Sequence, residues 1–222
     1  MESNIRNLHD EIKNLQLQRV VLSLVPTNKT PWSVVVEYFR LFRFGVNPSA
    51  TVAQLRTAAE SNYPFNPPIQ RDFLAATMTP DVTDGTVSGI DAIMRSWKHV
   101  SLCFNGFQVD VKSLENGPDD SVIVTTKQHV TITENMLKYT FPHLIDDSGG
   151  YSHLATKLLR QQILIRGSVH FKWNSENGRV TSFLFKADMV TPILHLLHNL
   201  EDVSDVFRSS RLTPECGVVT GL

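Results

Sequence analysis

Apolar residues at Ile5, Leu8, Ile12, Leu15 and Leu22 are spaced three and four apart, interrupted only at Arg19, with mostly polar residues between them. This is a heptad seam with isoleucine at a and leucine at d, the combination that favours two parallel strands. It predicts one helix from Asn4 to about Leu24, stopped by Pro26. The flanking positions hold Glu11 but then Gln16, beside His9 and Gln18, so interhelical charge pairs add little partner choice. About two and a half heptads fall short of the three or four that make a coiled coil distinct. The residues alone leave two readings open: a zipper to a second chain, or an amphipathic helix laid on its own domain.

Helical spacing continues downstream. Thr30 followed by Pro31 predicts a capped helix through Phe44, with Val35, Tyr38, Phe39 and Phe42 inward and Gly45 as its stop. A second helix is expected over Thr51 to Glu60, then a rigid loop over Tyr63 to Pro68. Phe73 to Met78 leads to a turn at Thr79-Pro80-Asp81. Gly89 to Phe104 reads as a strong helix with Ile90, Ile93, Met94, Trp97 and Val100 on one face. The period then switches to two. Val109 and Val111 alternate with Asp110 and Lys112, and a β-rich run follows over Ser121 to Thr133, joined by a loop at Glu115 to Asp119. Met136 to Phe141 reads as an extension of that strand. After a surface loop at Asp146 to Gly150 come a short helix (Leu154 to Arg160), strands over Ile163 to Trp173 and Arg179 to Met189, helices over Pro192 to Leu200 and Glu201 to Phe207, and a loose tail. Helices followed by four long antiparallel strands give an α+β cone, with helices on one face of a curled sheet.

Lys plus Arg (21) nearly balance Asp plus Glu (22), so bulk charge gives no reason to expect nucleic acid or an anionic membrane. Two cysteines, Cys103 and Cys216, are too few for a disulfide framework and imply reduced intracellular thiols. No stretch approaches the roughly 18 apolar residues of a membrane span, and the first residues lack a signal-peptide pattern.

The element order resembles the SnoaL-like, nuclear-transport-factor-2-like superfamily. Local phrases sharpen this: Glu37 to Arg43 (EYFRLFR), Trp97 to Phe104 (WKHVSLCF), Thr131 to Asn135 (TITEN), Phe141 to Leu144 (FPHL), Arg166 to Val169 (RGSV) and Asp188 to Pro192 (DMVTP) are similar to a family of oomycete proteins in which a basic leucine zipper precedes such a domain. The resemblance covers nearly the whole chain and favours the zipper reading of the first helix. It implies three parts: a leucine-zipper-like helix at 1–25, a SnoaL-like cone at 30–190, and C-terminal helices and tail at 191–222. It also implies a nuclear transcription regulator, a homodimer or a heterodimer with a related zipper protein. A basic-region zipper reads DNA through an Arg- and Lys-rich helix upstream of its heptads. Only Arg6 precedes Leu8, so DNA contact is expected only through an upstream basic region not present in this sequence; a chain naturally without that region would be cytoplasmic.

Such cones often hold an apolar pocket, here expected from Tyr38, Val109, Val111, Val169, Phe171, Phe183 and Phe185. In resembling enzymes such as ketosteroid isomerase an Asp in the pocket acts as base beside a Tyr. The candidates here are Asp110, Asp188, His129, His170, Tyr38 and Tyr139. Alternation puts Asp110 and His170 opposite the apolar residues of their strands, and Asp188 sits where a strand hands over to a helix, so capping accounts for it. No catalytic residue, metal or cofactor is therefore expected. His195 and His198 share a helix face without a Cys or carboxylate partner, and Cys103 reads as a small core residue. The alternative functions are a small apolar-ligand binder and an isomerase or dehydratase of the SnoaL-like kind.

Overall fold

A computed structural model describes residues 30–46, 67–104 and 106–217. The seam residues Ile5, Leu8, Ile12, Leu15 and Leu22 and the helix expected over Thr51 to Glu60 lie outside the described residues.

Helix α1 spans Pro31–Phe42. The Thr30 hydroxyl accepts from the Ser33 N–H, and the Ser33 hydroxyl accepts from the Thr30 N–H, a reciprocal cap that satisfies two otherwise orphaned donors. The chain leaves α1 through Gly45 at φ +73°, a left-handed conformation that costs glycine little. The buried Gln70 amide donates to the Leu41 and Gly45 carbonyls at 2.7 and 3.0 Å, satisfying the end of α1 from helix α2, Pro67–Thr77. Pro67 and Pro68 thus open a helix instead of lying in a rigid loop, because the first turn needs no intrahelical N–H.

Strand β1, Met78–Thr83, replaces the turn expected at Thr79-Pro80-Asp81. It pairs parallel to β5 at the edge of the sheet, where proline costs no central ladder bond. Helix α3, Ile90–Cys103, follows as expected, and then β2, Gln108–Gly117, and β3, Ser121–Thr131. The hairpin between them is tighter than the sequence suggests, with Asp119 and Asp120 both at φ +52°.

Helix α4, Glu134–Thr140, stands where a strand extension was expected. The Thr133 hydroxyl caps it by accepting from the Met136 N–H, and Met136, Leu137 and Thr140 are buried along one face. That three-four spacing outweighs the strand-like composition. Helix α5, His153–Leu158, leads to β4, Gln162–Asn174, and β5, Arg179–Asp188. Helices α6, Val190–Leu197, and α7, Leu200–Phe207, close the order.

The sheet order is β1-β5-β4-β3-β2, with the four long strands antiparallel. The described residues form an α+β domain in one hydrophobic core that runs from Val34 to Leu212. The segment after β5 belongs to it: Ile193, Leu197, Val203, Val206 and Leu212 are buried in that core. The tail is not loose, since the Glu215 and Pro214 carbonyls accept from the N–H groups of Ala187 and Met189.

Candidate functional site

Register decides which face of the sheet meets the helices. Directly paired residues point the same way. Val124, Val169 and Phe185 form one inner row, and Val122, Phe171 and Phe183 another. Between Val124 and the row of Val109, Gln128 and Ile165 lies Thr126, opposite Gly167, itself opposite Ala187. Thr126 lines a hollow on this face, and residues of helices α1 and α3 roof it.

The resulting cavity has a volume of about 170 Å³. The helices supply Tyr38, Phe42 and Trp97, the sheet supplies Val109, Val169, Phe183 and Phe185, and the tail supplies Leu212 and Cys216. Tyr38 is the hub of the aromatic wall. Its ring stacks on Phe42 at 4.7 Å and meets Phe171 and Phe183 edge-on or tilted at 5.3 and 5.4 Å. Its hydroxyl accepts from the Trp97 indole N–H at 3.2 Å. Burial holds the phenol far above its ordinary pKa, against the opposing pull of the Trp97 hydrogen bond, so it is a neutral donor at any physiological pH. Burial likewise pushes the Cys216 thiol up to about 12, with the charges of Asp188 and Glu215 adding to it, so Cys216 is no thiolate nucleophile.

Two polar side chains face the hollow from the sheet. Gln128 is 6% exposed, and Thr126 is fully buried with a hydroxyl that has no hydrogen-bond partner among the described residues. Asp84, the exposed Thr86 and the half-buried Ser96 of α3 add polar groups from outside the sheet face. One Asp84 oxygen accepts from the Thr86 N–H, the Thr86 hydroxyl and the Val87 N–H at 2.8, 2.8 and 2.9 Å, which makes it the clasp of its own loop.

The expected pocket residues divide. Tyr38, Val109, Val169, Phe183 and Phe185 line the cavity, whereas Phe171 is buried behind it and Val111 is exposed. The acid–base candidates stay away. Asp110 lies on the outer face, where it accepts from Arg43 at 2.8 Å and from Gln108 at 3.1 Å, and these hydrogen bonds, Gln108's first, hold its carboxyl below the usual range. Asp188 accepts from the Thr191 N–H at 2.9 Å at the start of α6, and Thr191, through side chain and backbone, lowers its pKa. His129 and Tyr139 are exposed, and His170 sits on the outer face between Ile123 and Leu184. Trp32, in the first turn of α1, donates to Asn116 at 2.7 Å and ties α1 to the β2–β3 hairpin. Sequence reasoning missed Thr126, Gln128 and Asp84. The first two were legible as the only polar interruptions of the inward-facing alternation of β3, but Asp84 carries no local signal.

Residues 32–103 match the family model of the BZIP transcription factor 1 C-terminal domain. The bZIP-factor domain match thus runs from α1 through α3 and includes Tyr38, Asp84 and Trp97 of the cavity. No curated protein matches the chain significantly. Among solved structures, a SnoaL-like protein from Jannaschia sp. is 17% identical over 57% of this chain and 78% of its own, with a TM-score of 0.40. An NTF2-like protein from Burkholderia thailandensis is 12% identical over 76% and 97%, with a TM-score of 0.43. A SnoaL-like polyketide cyclase from Agrobacterium tumefaciens is 9% identical over 57% and 84%, with a TM-score of 0.40. At that distance the likenesses carry no argument, and the fold rests on the strand pairing and packing of this chain.

Proposed function

We propose that this chain is a nuclear transcription regulator of the bZIP kind, in which the N-terminal seam joins two chains and the α+β domain is non-catalytic cargo. The observation that carries the reading is the match of residues 32–103 to a bZIP-factor C-terminal domain. The 3-4 spacing of Ile5, Leu8, Ile12, Leu15 and Leu22 supports the dimer. The non-catalytic role is supported by the chemistry around the cavity: Tyr38 and Cys216 keep their protons, Asp110 and Asp188 are tied elsewhere, and Asp84, the one carboxylate among the described lining residues, is bound into its own loop through Thr86 and Val87. With Arg6 the only Lys or Arg ahead of Leu8, this chain is expected to bind DNA weakly, since phosphate neutralisation supplies most non-specific affinity.

Light scattering of the full chain, compared with the Leu8→Asp/Leu15→Asp double variant, tests the seam. The expected result is a dimer mass that falls to the monomer mass in the variant with the circular dichroism of the folded domain kept. A wild-type monomer, or a variant that stays dimeric, overturns the zipper. In a mobility-shift titration at low salt, a chain extended upstream by a basic helix should bind tightly and the 222-residue chain weakly. Tight sequence-specific binding by the latter overturns the placement of the DNA contact.

A further inference from the structure

We infer that the cavity is a binding site for a small, neutral aromatic molecule bearing a carboxamide-like group. This goes beyond the transcriptional reading and does not depend on it. Size sets the first limit. A cavity of about 150 Å³ lined by apolar side chains takes a benzene ring, so about 170 Å³ suits one ring with one small substituent. The wall sets the second. Tyr38, Phe42, Trp97, Phe107, Phe183 and Phe185 present ring faces and edges, the surroundings in which an aromatic guest gains offset and edge-to-face contacts.

The polar groups fix the rest. A fully buried hydroxyl without a partner costs free energy, and native folds rarely keep one without a reason. The Thr126 hydroxyl is such a group, and it faces the hollow from the middle of the sheet. Gln128, two residues on along the same face, adds amide N–H donors and a carbonyl acceptor. A guest that both donates and accepts, as a carboxamide does, satisfies Thr126 and Gln128 together; a hydrocarbon leaves both unmet. Charge is excluded from one side. Among the described residues none that lines the cavity is Lys, Arg or His, and Asp84 is one of those that do, so a carboxylate guest would be desolvated without a counter-charge. Because Leu212, Cys216 and Gly217 form one wall, an occupant also bears directly on the docked tail.

The test uses the full chain with three probes of similar size: benzamide, toluene and benzoate, measured by calorimetric titration and by saturation-transfer NMR. Benzamide should bind saturably, and benzoate at least about tenfold more weakly. Thr126→Val should weaken benzamide about tenfold while leaving toluene unchanged or tighter. Val169→Phe, which fills the hollow, should abolish binding of both neutral probes while the chain still melts cooperatively. A wild-type chain that binds neither benzamide nor toluene at millimolar concentration overturns the site, whatever the variants do. Equal loss of benzamide and toluene in Thr126→Val overturns the role of the hydroxyl, and benzoate binding as tightly as benzamide overturns the neutral class.

Discussion

Asp188 shows how a single carboxylate can look catalytic in sequence and be structural in the fold. It ends β5 and accepts from the Thr191 N–H, filling an orphan donor at the start of α6. Asp188→Ala should lower the unfolding free energy by about 1 kcal/mol, read from a urea titration at pH 7. The folded-state pKa lies below the unfolded one, so this contribution is complete above the ordinary carboxylate range near pH 4 and is lost as pH falls through the folded value. The gap between wild type and Asp188→Ala should therefore close as the titration is repeated below about pH 4. Asp110 and Asp146, also depressed by hydrogen bonds, shift in the same direction and steepen the acid limb of the wild-type curve.

At the scale of elements, β4 is held close against β5 at Gly167. A Cβ on Gly167 would lie 2.8 Å from the Lys186 carbonyl oxygen and 3.1 Å from the Phe185 ring. The first of these contacts is backbone, which cannot rotate away. Gly167→Ala should cost about 1–3 kcal/mol by overpacking, seen as a lower urea midpoint with an unchanged slope. The elements most legible from sequence were those with long, clean periods: α1 with its Thr30 cap, α3, and the four antiparallel strands. The misses have specific causes. Residues 136–141 mix strand-forming and helix-forming types, and only burial of Met136 and Leu137 against the core selects the helix. Pro80 reads as a turn until β5 is seen to pair with it from one side only.

At the scale of the molecule, the C-terminal segment closes the core that the N-terminal helices begin. Leu212 is 7% exposed and lines the cavity, and two main-chain hydrogen bonds dock the residues beyond it onto the end of β5. A chain ending at Arg211 should lose roughly 2–4 kcal/mol of stability, from about 1.5–3 for one buried Leu side chain and about 1 for the hydrogen bonds. Differential scanning calorimetry would show this as a lower melting temperature, and a melting curve unchanged from the full chain would mean the tail is not part of the folded unit. Of the residues expected around the cavity, four from the strands and Tyr38 from α1 line it, because periodicity groups residues on a shared face without knowing what packs there. That Thr126 and Gln128 interrupt the apolar face of β3 was legible, but the unpaired state of the Thr126 hydroxyl was not, since it depends on which described residues from distant parts of the chain come near it.

Local spacing by itself determined which segments curl and which extend, where α1 begins, and that the strands come in an antiparallel run, because those signals act over a few residues. It could not say which sheet face turns inward. Only the tertiary structure decided that Asp110 and His170 point away from the hollow, that Thr126 faces into it unpaired, that β1 lies parallel beside β5, and that the tail returns to form a wall. Each of these depends on contacts between segments far apart in sequence, whose energies no local pattern encodes.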